Sequence, residues 1–157
     1  MKKLTIYFLI CSFLMVLCGA DFQSQAQVTL IGNGVAKDVS LYHNGQKQHE
    51  GYIIYGKKCG KWVEWYENGQ KKAVMYYDQN GVPNGKWTYW YENGQKWNTL
   101  VYTNGKIDGK WTYYYQNGQK WHELTYLEGK VEGKWMFWYK NGKVNYKGYY
   151  EDIIWKG

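Results

Sequence analysis

The sequence predicts an all-β protein: an elongated antiparallel meander of about five stacked β-hairpin repeats, each of about 24 residues, forming a single-layer twisted sheet. Three observations predict it. The triplet Gly-Lys-Trp recurs at Gly60, Gly85, Gly109 and Gly133, at intervals of 25, 24 and 24 residues. Between the triplets stands Tyr-x-Asn-Gly-Gln-Lys, beginning at Tyr42, Tyr66, Tyr91 and Tyr115 and shortened to Tyr-Lys-Asn-Gly-Lys at Tyr139. Finally, aromatic residues make up 20% of the chain, which gives a thin sheet enough large rings to bury.

Residues 1–26 read as an export signal. Lys2 and Lys3 form a positive start, Leu4 to Leu17 is apolar and uncharged, and Ser24-Gln25-Ala26 places small residues where a signal peptidase cuts. The apolar run falls short of the ~20 residues a comfortable membrane span takes. Cleavage near Ala26 is therefore expected, with the protein in the periplasm, outside the cell or on its surface; a retained anchor is the alternative. Cys18 offers a weaker, lipid-modified reading, since bulky Leu17 precedes it.

Residues 27–157 then form the repeat domain. Setting aside Lys2, Lys3 and Asp21 leaves 18 lysines against 12 acids, with no arginine. Bidentate reading of phosphate or guanine uses arginine, so nucleic acid is not the expected partner and a lysine-rich solvated surface is the simpler expectation. Cys59 alone remains outside the signal, so no internal disulfide can form there.

Asn-Gly between aromatic strands signals a type I′ hairpin, and a two-residue turn at Asn93-Gly94 fixes the pairing by counting. Tyr91 then faces Lys96, Trp90 faces Trp97, Tyr89 faces Asn98, Thr88 faces Thr99 and Trp87 faces Leu100. Alternation puts Trp87, Tyr89, Tyr91, Leu100 and Tyr102 on one face, with equivalents in the other repeats, and this uniform face is the expected core. Trp135 is expected to cover the bare backbone of Gly148. The other face carries Trp65 opposite Lys72, Trp90 opposite Trp97, Tyr114 opposite Trp121, and Trp138 opposite Asn145. Exposed rings among polar residues make Trp65, Lys72, Trp90, Trp97, Tyr114, Trp121 and Trp138 the candidate ligand-binding residues.

The return loops lie between glycine pairs such as Gly105 and Gly109, and Cys59 is expected exposed on one of them. The extra residue of the 25-residue interval falls near Asp78 or Gln79 and predicts a longer loop or a bulge. Segments 28–55 and 144–157 keep the pattern imperfectly and read as capping repeats, for about ten strands in all.

The pattern Gly-x-Trp-x-x-(aromatic)-Tyr-x-Asn-Gly over residues 42–148 resembles the bacterial variant of the MORN repeat, whose members are often labelled YwqK-type antitoxins. The resemblance implies single-layer hairpin stacking and association with proteins, or sometimes with membrane lipids.

Catalysis is not expected. His43, His49 and His122 are scattered, and His122 is expected half-buried against Tyr113; no metal, nucleophile or cofactor motif occurs. Three readings follow: a protein-binding scaffold at the cell envelope, a carbohydrate-binding module stacking sugars on the Trp/Tyr rows, or an antitoxin-like partner of a toxin. An anionic membrane surface is a further candidate partner, given the lysines.

Overall fold

The computed structural model describes residues 25–32 and 34–150, so residues 1–24 of the expected export signal lie outside the described residues. The described chain is all strand and turn. In order it forms β1 (Gln25–Gly32), β2 (Val35–Leu41), β3 (Lys47–Ile54), β4 (Lys57–Trp65), β5 (Lys71–Tyr77), β6 (Gly85–Trp90), β7 (Lys96–Thr103), β8 (Lys106–Ile107), β9 (Gly109–Tyr114), β10 (Lys120–Leu127), β11 (Lys130–Trp138) and β12 (Val144–Tyr150). All belong to one antiparallel sheet, and each strand lies beside its chain neighbour, with short β8 pairing only with β7. Among the described residues twelve strands replace the expected ten: eleven follow one another across the sheet, and short β8 adds a twelfth beside β7.

Two kinds of hairpin alternate. Tyr55-Gly56, Asn104-Gly105 and Glu128-Gly129 take positive φ at both residues and close two-residue turns. These are the type I′ turns, whose twist matches that of the strands. The Tyr-x-Asn-Gly turns are different. Gly94 has φ +82°, but Asn93 stays out of the left-handed region. Its side-chain Oδ1 accepts the Gln95 N–H at 3.0 Å, Gly94 N–H donates to the Tyr91 carbonyl at 2.9 Å, and Tyr91 N–H donates to the Gln95 carbonyl at 2.8 Å. This is a three-residue turn ending in a glycine bulge. The extra residue of the long repeat gives the Asp78–Gly81 loop the same closure, with Asp78 N–H donating to Val82 and Gly81 N–H to Asp78.

The longer turn corrects the expected pairing near its mouth. Trp87 pairs with Leu100, Thr88 with Thr99 and Tyr89 with Asn98 as counted, but Trp90 pairs with Lys96 and leaves Trp97 unpaired in a bulge. Likewise Trp65 pairs with Lys71, Tyr114 with Lys120 and Trp138 with Val144, which displaces Lys72, Trp121 and Asn145.

One sheet face holds the core, as expected from the repeat. Trp62, Ala73, Met75, Trp87 and Leu100 are buried together, with Tyr77, Tyr89, Tyr102 and Trp111 packed against them. Trp62 and Trp87 donate their indole N–H groups to the Tyr52 and Tyr76 carbonyls, each at 2.9 Å. Trp135 pairs with Gly148 and occupies the space a Cβ there would need; Trp62 covers Gly51 in the same way. The opposite face is floored by a row running from Val39 through Glu50, Val63, Val74, Thr88, Thr99, Thr112 and Glu123 to Met136. Cys59 is a second correction: the tight Tyr55-Gly56 turn starts β4 at Lys57, so Cys59 pairs with Tyr52 and is buried rather than exposed on a loop.

Candidate binding surfaces

Before any surface can bind, its own polar groups must be accounted for, and along the Tyr-x-Asn-Gly edge they are. The hydroxyls of Tyr42, Tyr66, Tyr91 and Tyr115 donate to the carbonyls of Trp65, Trp90, Tyr114 and Trp138, at 2.7–3.0 Å. The amide groups of Asn44, Asn68, Asn93 and Asn117 donate to carbonyls of Glu67, Glu92, Gln116 and Lys140 in the next turn, at 2.8–3.1 Å. Gln70 lies against Gly94 and Gln95 against Gly118, filling the volume a Cβ would take. The repeated motif thus makes a ladder from turn to turn, and the side chains between the ladder and the core are left to vary.

The bulge positions vary most. Gln48, Lys72, Trp97, Trp121 and Asn145 occupy equivalent places. On the core face Trp97 contacts the rings of Tyr89, Tyr91 and Tyr113 at 6.0–6.3 Å, and Trp121 contacts Tyr113 and Tyr115. Both remain exposed, at 41% and 43%. Beside Trp121 lies a groove of about 360 Å³ lined by Tyr91, Tyr115, Gln116, Asn117 and Lys140. A second groove, of about 340 Å³, joins Trp65 and Lys72 with Tyr42, Gln48, His49 and Glu64. Nearby, His49 Nε2 lies 3.3 Å from Asp38 Oδ1.

His122 fulfils its expected place, stacked between Tyr113 and Phe137 at 4.4 and 5.4 Å. Burial lowers its pKa and favours the neutral ring. Among the described residues, no group of three or more His, Cys, Asp or Glu side chains is placed to hold a metal ion, and no helix is long and apolar enough to cross a membrane.

The face opposite the core keeps Trp65, Trp90, Tyr114 and Trp138, all half-buried. The expected single recognition face is therefore divided: Lys72, Trp97 and Trp121 lie on the core side, the other four behind it. Lysines alternate with the rear rings, Lys47 lying 5.6 Å from the Trp65 ring and Lys120 5.3 Å from Trp138. The glutamates of the floor row are clamped. Glu50 bonds Lys37 and Lys47 at 2.5 and 2.6 Å, and Glu123 bonds Lys110 and Lys120 at 3.0 and 2.8 Å. The two lysine bonds hold the Glu50 carboxyl below its ordinary pKa. For Glu123 burial acts upward, but the bonds from Lys120 and Lys110 outweigh it and the pKa is again lowered. Sequence reasoning did not find these clamps; the signal was the recurrence of lysines at fixed offsets around one row position.

A family model described as the MORN repeat variant matches the chain over residues 58–79, 83–104, 107–128 and 131–152. No curated protein matches it. The hairpin at Tyr42 precedes the matched span yet closes with the same hydrogen bonds.

Proposed function

Because the chain belongs to the MORN repeat variant family, a family of repeat scaffolds for protein or membrane association, we propose that it is an exported, non-catalytic scaffold holding a partner protein at the cell envelope. The observation that carries this reading is the pair Trp97 and Trp121, two exposed tryptophans on successive repeats packed among tyrosine rings. Large exposed aromatics held in fixed positions are what interface hot spots are made of. The apolar run from Leu4 to Leu17, preceded by Lys2 and Lys3, supports export.

Crosslinking of the full chain to its partner, followed by identification of the crosslinked residues, tests the proposal. Capture of a defined protein that is lost on Trp121→Ala, with strand content kept and excess polysaccharide without effect, is the expected result. Glycan binding that vanishes in Trp121→Ala, with no protein captured, would replace this reading by the carbohydrate-binding one.

A further inference from the structure

The two glutamate clamps are three repeats apart, and the repeats between them carry the lysines without the acid. Lys37 and Lys47 hold Glu50; one repeat on, the same places are Lys61, Lys71 and Val74; then Lys86, Lys96 and Thr99; then Lys110, Lys120 and Glu123. The registers agree at each step. Lys37, Lys61, Lys86 and Lys110 pair with Tyr52, Tyr76, Val101 and Thr125, two residues from the floor-row position in every case. Lys61, Lys71, Lys86 and Lys96 are exposed, and among the described residues none is in an ion pair.

We infer that the paired lysines over Val74 and Thr99 are two carboxylate-binding slots that a partner's acidic segment fills, as Glu50 and Glu123 fill the flanking slots in cis. The inference rests on the scaffold reading and names the chemistry of its partner. The slots lie two strands apart, about 9.6 Å at the usual strand spacing. A polyproline-II segment repeats every three residues, about 9.3 Å, so acidic residues three apart present carboxylates at that interval. An acidic peptide fits better than an acidic glycan for two reasons. The group that occupies the equivalent slots is a glutamate side chain. Moreover, the rings on this face are half-buried, and lysines lie over two of them, Trp65 and Trp138. With no arginine available, the lysines act as point charges, which suits separate carboxylates.

The test is fluorescence anisotropy of the full chain with a labelled, proline-rich peptide bearing Glu-x-x-Glu, and with its Gln-x-x-Gln twin. The glutamate peptide is expected to bind at least tenfold more tightly than its twin, and more weakly as salt rises. Val74→Glu with Thr99→Glu fills both slots and is expected to weaken binding at least tenfold; Lys71→Gln with Lys96→Gln gives the same loss by another route. Lys106→Gln with Lys130→Gln removes equal charge at distant turns and is expected to leave binding unchanged. Equal binding of both peptides, or undiminished binding by the folded Val74→Glu/Thr99→Glu protein, overturns the inference. So does binding of polygalacturonate or phosphatidylserine vesicles by a chain that ignores the peptide. The peptide titration needs no partner in hand. A captured partner unaffected by filling the slots removes this inference alone, whereas failure to capture any protein removes the scaffold reading itself.

Discussion

The hydroxyl of Tyr66 donates to the carbonyl oxygen of Trp90 at 2.7 Å, across 24 residues of chain and one full repeat. That bond ties the mouth of one turn to the start of the next, and burial raises the Tyr66 pKa, with the Glu92 charge adding to the effect. Tyr66→Phe removes the donor and keeps the ring. It is expected to cost about 1 kcal/mol, the usual net value of one such bond, read as a lower urea midpoint at unchanged slope.

Gly94 is constrained twice, by its φ of +82° and by Gln70 packed where a Cβ would go. Gly94→Ala is expected to cost roughly 1–3 kcal/mol. Gln70→Ala in the same chain relieves the contact but not the backbone strain, so the double variant is expected to lose less than the two single losses combined. Strict additivity in urea unfolding would contradict the packing account.

Trp62 is 2% exposed and Trp121 43% exposed, although both belong to the same aromatic side of the sheet. Trp62→Ala is expected to cost about 3–5 kcal/mol, as core tryptophan truncations do. Trp121→Ala is expected to cost well under half of that. Equal losses would mean that Trp121 builds the fold rather than a surface.

The His122 ring has its pKa lowered by burial between Tyr113 and Phe137. Below the ordinary histidine value of 6.5 the unfolded chain takes up a proton that the folded ring resists. Stability is therefore expected to fall as pH drops through 6.5 toward the lowered folded value. The clamped carboxyls of Glu50 and Glu123, also lowered, add a second loss as pH falls below about 4.5. Melting temperature against pH should show both stages, with His122→Phe flattening only the upper one.

Cys59 is 7% exposed, and burial raises its thiol pKa. Both features oppose thiolate chemistry. Labelling by a thiol reagent is expected to wait for unfolding; fast labelling at neutral pH in the native state would show that β4 opens locally.

Repetition made the architecture legible. Trp87 opposite Leu100 and Trp135 over Gly148 follow from counting back from a two-residue turn, and they survive the longer turn because the bulged residue beyond it restores the register. The turn chemistry was harder to read, because one dipeptide serves two turns. Asn104-Gly105 takes positive φ at both residues, whereas Asn93 bonds its own backbone two residues on and does not. That difference inserts one bulged residue, and a single residue decides which face a strand side chain occupies. Trp97 and Trp121 thus moved to the core side while Trp90 and Tyr114 stayed behind. The lysine clamps escaped notice because they join residues on paired strands, which only the register brings together.

Every path strand hydrogen bonds to its chain neighbours, so no backbone pairing reaches much beyond one repeat. Folding can then spread outward from any hairpin without waiting for distant ends to meet. Gene duplication of one 24-residue unit would add a strand pair, a tyrosine rung and a lysine pair while disturbing nothing already in place. The length of the protein is thus an adjustable dimension, like the number of links in a chain, and the sheet surface on offer grows with every repeat.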